Sequence, residues 1–167
     1  VLFQRASDIV VGVRDGSVDL GITGLDITKE YGGDQGEILV LHEALGFGHC
    51  RLAVAVPEAW EQVRTVQDLN AIVLQLGHPL RVATKFTNLV GDFLEMRGVE
   101  PFTLVHAEGT LEVAPAIGYA DCIADLVSSG QTLRDNRLRP LEDGVIVRSQ
   151  AALIANLAAL RARPEVL

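Results

Sequence analysis

Short apolar segments alternate with helix-like segments along this chain, and that alternation limits the folds it can adopt. The segments 18–23, 80–84, 102–106 and 122–127 are rich in Val, Leu, Ile and Ala and have the length of buried strands. Helical stretches separate them, such as 88–97, whose apolar residues recur at helical spacing. Strands that alternate with helices are typical of parallel sheets covered by helices. The sequence therefore predicts an α/β fold with mainly parallel sheets and flanking helices.

Two further stretches give more specific expectations. Residues 112–117 predict a short helix, with Pro115 tolerated in its first turn. The Asp143-Gly144 pair between the apolar runs 138–141 and 145–149 predicts a turn that separates two strands.

The stretch 121–133, DCIADLVSSGQTL, predicts a strand, a turn of small polar residues and a helix start. Free backbone N–H groups at a helix start bind phosphate, small residues let the anion approach, and hydroxyls add donors. Asp125, near the end of the strand, can hold sugar hydroxyls or a Mg²⁺ on the same ligand. The pattern favours a sugar-phosphate site. An ordinary strand-to-helix turn, with Ser128 or Ser129 as the N-cap and Asp125 as a capping acid, explains the same residues.

The acidic composition restricts the classes of partner. The 167 residues carry a formal net charge of −8 and 49% are hydrophobic, so a sizeable core is available while nucleic acid and anionic membranes are repelled. Attraction for a polyphosphate must then be local. Cys50 and Cys122 stand apart, with no spacing typical of a zinc site, and fit free thiols in a reducing cytoplasm. No apolar run of membrane-spanning length and no signal peptide is recognisable.

The block from Glu112 to Leu133 resembles the signature of ATP phosphoribosyltransferase, the first enzyme of histidine biosynthesis. It contains Glu112-Val-Ala-Pro, Gly118-Tyr-Ala-Asp, Asp125-Leu-Val, Gly130 and Thr132-Leu in unbroken order. Four other segments resemble the same family in the same order: RASDI at 5–9, DLGITGLD at 19–26, CRLAVAVP at 50–57 and RVATK at 81–85. The resemblance covers residues 1–156.

The resemblance implies a two-lobed fold like that of type II periplasmic binding proteins. Lobe one would comprise residues 1–57 and 139–167, and lobe two, with the phosphate-binding loop, residues 58–138. The implied activity transfers phosphoribosyl from phosphoribosyl pyrophosphate to N1 of ATP and releases pyrophosphate.

The resemblance also implies the site residues. Those for phosphoribosyl pyrophosphate are Asp125, Ser128, Ser129, Gly130, Gln131, Thr132 and Glu112. Those for ATP are Arg5, Thr23, Gly24, Asp26, Arg51 and Lys85. Each has an ordinary structural reading beside this one: a solvated first-turn acid for Glu112, a tight turn at 21–24, a carboxylate partner for each arginine and solvent for Lys85. Mg²⁺ would be held by the substrate, with Glu112 as a candidate protein ligand. No side chain is expected to act as a catalytic nucleophile, and none of the four histidines has a ligand-like spacing.

The family context carries partners and alternatives with it. It implies a cytoplasmic enzyme, inhibition by histidine or AMP, and a homo-oligomer or a hetero-oligomer with a regulatory subunit. The family's leading strand and Lys-Gly-Arg loop have no match from Val1 onward, so we expect a chain that binds sugar phosphate but lacks activity by itself, with an unpaired sheet edge. Glu108 stands where the family has a small residue. A two-lobed small-molecule binding module, or an inactive partner or fragment, is the alternative function.

Overall fold

The computed structural model describes residues 1–33, 36–107 and 109–162. The helices are α1 (Ala6–Arg14), α2 (Leu25–Tyr31), α3 (Val66–Val73), α4 (Thr87–Met96), α5 (Gln131–Asp135) and α6 (Leu157–Ala162). The strands are β1 (Leu20–Gly24), β2 (Ile38–His42), β3 (Cys50–Pro57), β4 (Leu80–Thr84), β5 (Phe102–His106), β6 (Cys122–Val127), β7 (Leu138–Ser149) and β8 (Ala151–Asn156). The predicted α/β class is confirmed.

The chain divides into two compact units within β3 and β7. Unit 1 consists of Val1–Cys50 and Arg148–Leu167, and unit 2 of Arg51–Val147. The sequence prediction placed the first crossing later, after Pro57, and the second earlier, at Arg139. The boundaries between the units differ from the predicted ones because β3 and β7 both belong to the sheet of unit 2 over most of their length.

Unit 1 is built on a three-stranded sheet in the order β1-β8-β2. β8 pairs antiparallel with both neighbours, with Leu20 opposite Ala155 and Ile38 opposite Asn156. Helix α1 covers this sheet, and its Val10 and Val13 are fully buried in a small core with Ile154. Gly21 allows the close approach, because a Cβ there would lie 2.6 Å from Cγ2 of Ile9.

Unit 2 is built on a five-stranded mixed sheet in the order β5-β4-β6-β3-β7. β4 pairs parallel with β5 and β6, whereas β3 pairs antiparallel with β6. The prediction of mainly parallel sheets is therefore wrong in this respect. Parallel pairing follows only where a crossover returns the chain to the same end of the sheet, as α4 does between β4 and β5.

One face of β6 anchors the core of unit 2 nearest the candidate site. Ile123 and Val127 point to the same side of β6, and both are buried against the segment that follows β5 and against α5. The apolar partners on that side include Ala53 of β3, Leu111 and Leu133. Asp125 lies between Ile123 and Val127 along the strand, so its side chain is directed toward this covered face.

Two local predictions are wrong. Asp143-Gly144 is not a turn, because β7 runs through it without a break. A Cβ on Gly144 would lie 2.7 Å from Cβ of Leu141 and 3.3 Å from the Val54 carbonyl, so glycine serves close backbone approach within a strand. The helix expected over 112–117 is a single 3₁₀ turn, Leu111–Val113, which the left-handed Thr110 precedes. In the described part of the chain, no helix combines the length and apolarity that a bilayer crossing requires.

Candidate functional site

The loop between β6 and α5 has the arrangement expected of an anion site. Ser128, Ser129 and Gly130 follow the strand, and Gly130 is the residue before α5, with a φ of +74° that favours glycine. Gly130 holds the N-cap position, so neither Ser128 nor Ser129 is the N-cap. The Ser129 hydroxyl instead accepts the Gln131 N–H at 3.3 Å. Since α5 has only five residues, binding would depend on local N–H and hydroxyl donors more than on the helix dipole.

A cavity of about 320 Å³ opens beside this loop. It is lined by Gly109, Thr110, Glu112, Asp125, Leu126, Val127, Ser128, Ser129, Gly130, Thr132 and Leu133. Six of the seven residues predicted for phosphoribosyl pyrophosphate therefore share one cavity. Gln131 does not line it, because its amide group donates to Asp135 at 2.6 Å and accepts from Arg134 at 2.9 Å.

Asp125 is a half-buried acid of this cavity. Burial raises the pKa of its carboxyl group, the N–H of Leu126 and the charge of Lys85 act against the rise, and the charge of Glu112 adds to it. The Leu126 N–H donates to Oδ1 at 2.8 Å. An ionised carboxylate placed among apolar neighbours and beside a second acid gains from any donor or cation that a ligand brings.

The wall opposite the phosphate loop comes from the segment that follows β5. Gly109 and Thr110 both have a positive φ, 73° and 46°, and this bend brings the 3₁₀ turn with Glu112 over the face of β6. Glu112 and Asp125 thus lie near each other in the same cavity. The unusual residue Glu108 lies outside the described residues, so its effect on this bend stays a prediction.

Two of the residues predicted for ATP lie in unit 2 close to this cavity. Lys85 follows β4, places Nζ 5.1 Å from the ring centroid of Phe86, and is near enough to affect the pKa of Asp125. Arg51 is paired with Val127, the last residue of β6 before the phosphate loop. Both cations are therefore carried by strands next to β6.

The other four lie in unit 1. Asp26 is only 3% exposed, and its carboxylate accepts the Ser149 hydroxyl at 2.6 Å, so its burial is explained without a ligand. The Thr23 hydroxyl donates to the Ala6 carbonyl at 3.2 Å, and the Gly24 carbonyl accepts the Thr28 hydroxyl at 2.9 Å. Arg5 is exposed at the residue before α1. Their contact with ATP stays a prediction.

Arg134 contacts the phosphate loop, although the sequence did not predict it as a site residue. Its Nη1 donates to the Ser129 carbonyl at 3.3 Å and its Nη2 to Oε1 of Gln131 at 2.9 Å. A Cβ on Gly130 would lie 3.2 Å from Nη1. An arginine three residues after Gln131 on a helix is usually solvated, so spacing alone gave no signal that this side chain folds back onto the loop.

The cavity joins two kinds of chemistry. The phosphate loop offers backbone and hydroxyl donors, and the opposite side offers the carboxylates of Asp125 and Glu112. A ligand with an anionic group at one end and hydroxyls at the other matches both ends. Among the described residues, no group of three or more His, Cys, Asp and Glu is placed to hold a metal ion.

Comparison with known proteins gives a consistent family. The sequence model of HisG, ATP phosphoribosyltransferase, matches residues 5–167. A curated relative, ATP phosphoribosyltransferase 2, chloroplastic, of Arabidopsis thaliana, is 45% identical over 166 residues, which are 98% of this chain and 40% of that protein. The chain thus spans well under two thirds of this relative's length.

Solved structures extend the likeness to the fold. The ATP phosphoribosyl transferase (HisG:HisZ) complex from Thermotoga maritima has a TM-score of 0.76 at 22% identity, over 99% of this chain and 72% of the other. The alkanesulfonate-binding protein SsuA from Xanthomonas axonopodis pv. citri has a TM-score of 0.57 at 21% identity, over 99% of this chain and 57% of the other. The predicted fold, like that of solute-binding proteins, is confirmed.

Proposed function

Because this chain belongs to the ATP phosphoribosyltransferase family, we propose that it binds phosphoribosyl pyrophosphate in the cavity beside the β6–α5 loop and transfers the phosphoribosyl group to N1 of ATP. This reaction is the first step of histidine biosynthesis, and its products would be phosphoribosyl-ATP and pyrophosphate. The observation that carries the proposal is the shared cavity of about 320 Å³ that joins Ser128, Ser129 and Gly130 to Asp125.

The loop would hold the 5-phosphate. The hydroxyls of Ser128, Ser129 and Thr132 border the cavity with Gly130, and small side chains let a phosphate oxygen reach the backbone. Asp125 would then accept hydrogen bonds from the ribose hydroxyls. These hydroxyls would supply donors to its carboxylate. Gln131 would act through the shape of the loop, since its side chain is engaged with Arg134 and Asp135.

The chemistry asks for positioning and charge stabilisation more than for covalent help. N1 of ATP forms a bond to C1 of the ribose as the bond from C1 to the pyrophosphate oxygen breaks, and the electron pair of that bond leaves with pyrophosphate. Positive charge develops at the ribose in the transition state, and the carboxylates of Asp125 and Glu112, which line the same cavity, would stabilise it. Holding the two substrates in line supplies a large further part of the rate.

The residues present fit a substrate-borne Mg²⁺. Glu112 and Asp125 give two carboxylates in one cavity, and Mg²⁺ is commonly bound by one or two carboxylates together with substrate phosphates. Bound there, Mg²⁺ would neutralise charge on the leaving pyrophosphate. We propose Glu112 as the protein ligand, because Asp125 already accepts the Leu126 N–H.

Binding of ATP is proposed for both units. Lys85 and Arg51 are the better supported candidates, since β4 and β3 carry them next to β6. Arg5, Thr23, Gly24 and Asp26 rest on the resemblance, and Asp26 the least, because its carboxylate is already held by Ser149.

Partners and compartment are proposed from the family and from the cysteine content. The Thermotoga structure is described as a HisG:HisZ complex, which supports a hetero-oligomer with a regulatory subunit, or a homo-oligomer, for the present chain. Inhibition by histidine or AMP is proposed from the family. A cytoplasmic location agrees with two free cysteines, although a plant relative is named chloroplastic. The alternative of a binding module without chemistry is not favoured, because its support is the fold alone, at 21% identity.

The test measures binding and turnover separately. Titration calorimetry with phosphoribosyl pyrophosphate and Mg²⁺ should show binding. Release of pyrophosphate on addition of ATP, followed in a coupled assay, would support catalysis and contradict the expectation that the chain lacks activity by itself. Asp125→Asn should reduce both, whereas Asp92→Asn, at an exposed residue of α4 that does not line this cavity, should leave turnover within a few-fold of the parent. Binding without pyrophosphate release would refute catalysis by this chain alone. Absence of binding in a folded chain would refute the site.

A further inference from the structure

Arg134 is the cation that contacts the phosphate loop from behind. The residues that line the cavity include two acids, Glu112 and Asp125, and no lysine or arginine. In a chain of net charge −8, a dianionic phosphate would meet mostly negative charge there. The guanidinium of Arg134 lies directly against this loop, bonded to Ser129 and Gln131.

The contacts of Arg134 hold the loop at two points. Nη1 binds the Ser129 carbonyl at 3.3 Å and Nη2 binds the Gln131 side chain at 2.9 Å. Gln131 is fixed in turn by Asp135 at 2.6 Å. Because the Ser129 carbonyl accepts the hydrogen bond from Arg134, its oxygen faces the guanidinium. A carbonyl oxygen that faced the ligand would repel an approaching phosphate oxygen.

We propose that Arg134 is a positioning residue for the β6–α5 loop and selects the dianionic form of the sugar phosphate. It would do so by fixing the Ser129 and Gly130 backbone and by placing a permanent positive charge behind the loop. This inference rests on the proposed phosphate role of the loop and adds to it a residue outside the cavity lining.

The charge environment of Arg134 decides how the pH test is read. Asp135 faces it through Gln131, Asp125 and Glu112 lie across the loop in the cavity, and Lys85 lies near Asp125. All four are kept in an Arg134 variant. Comparison of variant and parent at each pH therefore isolates the effect of Arg134.

The experiment titrates ribose 5-phosphate into the unmodified chain, Arg134→Gln and Arg134→Lys at about pH 5 and about pH 7.5, which bracket a phosphate pKa of about 6. Arg134→Gln should weaken binding about ten-fold or more at the higher pH and remove most of the gain that the parent shows between the two. Arg134→Lys should recover the pH gain but not the full affinity, because it keeps the charge and loses the two-point contact.

Arg137→Gln is the matched control. Arg137 is exposed two residues beyond α5, and within the described residues its guanidinium has no hydrogen-bond partner, so binding should match the parent. Circular dichroism would confirm that each variant is folded.

Equal affinity of Arg134→Gln and the parent at the higher pH would overturn the inference and leave the loop assignment intact. An affinity loss of equal size at both pH values would overturn the charge selection. Failure of the unmodified chain to bind would overturn the proposed function and this inference together.

Discussion

Asp125→Asn should separate ligand binding from stability. The carboxylate lies on the covered face of β6 between Ile123 and Val127, and burial raises its pKa, with the charge of Glu112 adding to the rise. Asparagine keeps the size and retains an oxygen for the Leu126 N–H, which Oδ1 accepts at 2.8 Å. It removes a buried charge and its repulsion from Glu112. We therefore expect the free energy of unfolding to stay equal or rise, while binding of ribose 5-phosphate falls.

The size of the binding loss follows from the bonds that would be weakened. A hydrogen bond to a charged group contributes about 1.5–3 kcal/mol, and about 1.4 kcal/mol is ten-fold in affinity. Loss of the charge should therefore weaken binding by about ten-fold to a hundred-fold. The fall in binding and the rise in stability would come from the same carboxylate, because a charge that favours the bound ligand destabilises the protein when no ligand is bound.

The effect on stability should depend on pH in a defined direction. Because the folded-state pKa of Asp125 lies above its unfolded value of about 3.9, ionisation costs the folded protein stability as pH rises through that range. Below it the carboxyl group is neutral in both states and the cost is absent. The advantage of Asp125→Asn should therefore be largest near neutral pH and vanish below about pH 4.

Asp121→Asn is the control, because Asp121 precedes the same strand and has the opposite environment. It accepts the Arg81 N–H and guanidinium, each at 2.8 Å; burial acts to raise its pKa, but these bonds outweigh burial and the pKa is lowered. This variant should lose stability and keep its affinity for ribose 5-phosphate. Thermal melts followed by circular dichroism and calorimetric titrations of both variants provide the measurement. Parent-like affinity in Asp125→Asn would refute the ribose role, and a lower melting temperature would assign Asp125 to capping the loop.

Two further substitutions test the loop and its support. Gly130→Ala and Gly118→Ala should each lose about 1–2 kcal/mol of stability, because their φ values are +74° and +73°; only Gly130→Ala should weaken ribose 5-phosphate binding, since its Cβ meets Arg134 while Gly118 has nothing within 4 Å. Equal binding by the two, measured by calorimetry, would contradict the loop geometry. Leu133→Ala should cost about 2–5 kcal/mol in urea unfolding, because Leu133 is 6% exposed and is the buried residue of α5. Leu74→Ala, at a residue 79% exposed, should change stability by less than about 0.5 kcal/mol, and a comparable loss there would show that Leu133 supports nothing specific.

The sequence predicted best what lies within one short segment. Strand β6, the small polar loop and the start of α5 are contiguous, so local pattern defines them. Glu112 and Asp125 were both predicted as ligands, yet their meeting in one cavity depends on the bend at Gly109 and Thr110, which a single sequence does not encode by any simple period.

Predictions failed where a distant neighbour decides the local conformation. Asp143-Gly144 has turn composition, but a Cβ on Gly144 would lie 2.7 Å from Cβ of Leu141 and 3.3 Å from the Val54 carbonyl of the neighbouring strand. The Asp143 carboxylate accepts the Val66 N–H of α3 at 2.8 Å. The antiparallel β3–β6 pairing was not predicted because alternation of strands and helices predicts direction only between consecutive strands. Arg134 was not predicted because the rotamer of its side chain, and no pattern of residue types, brings it onto the loop.

The strand order of unit 1 has a consequence for how the protein is made. Its central strand, β8, is the last of the three to be synthesised, and β1 and β2 pair with β8 and not with each other. A nascent chain that has left the ribosome through β2 therefore holds β1 and β2 before the strand that pairs with both has been made. The continuous stretch Arg51–Val147 can meanwhile form its own contacts. Leu20 meets Ala155 only after that whole stretch has been translated, so we expect this closure of high contact order to be slower than formation of the contacts within unit 2.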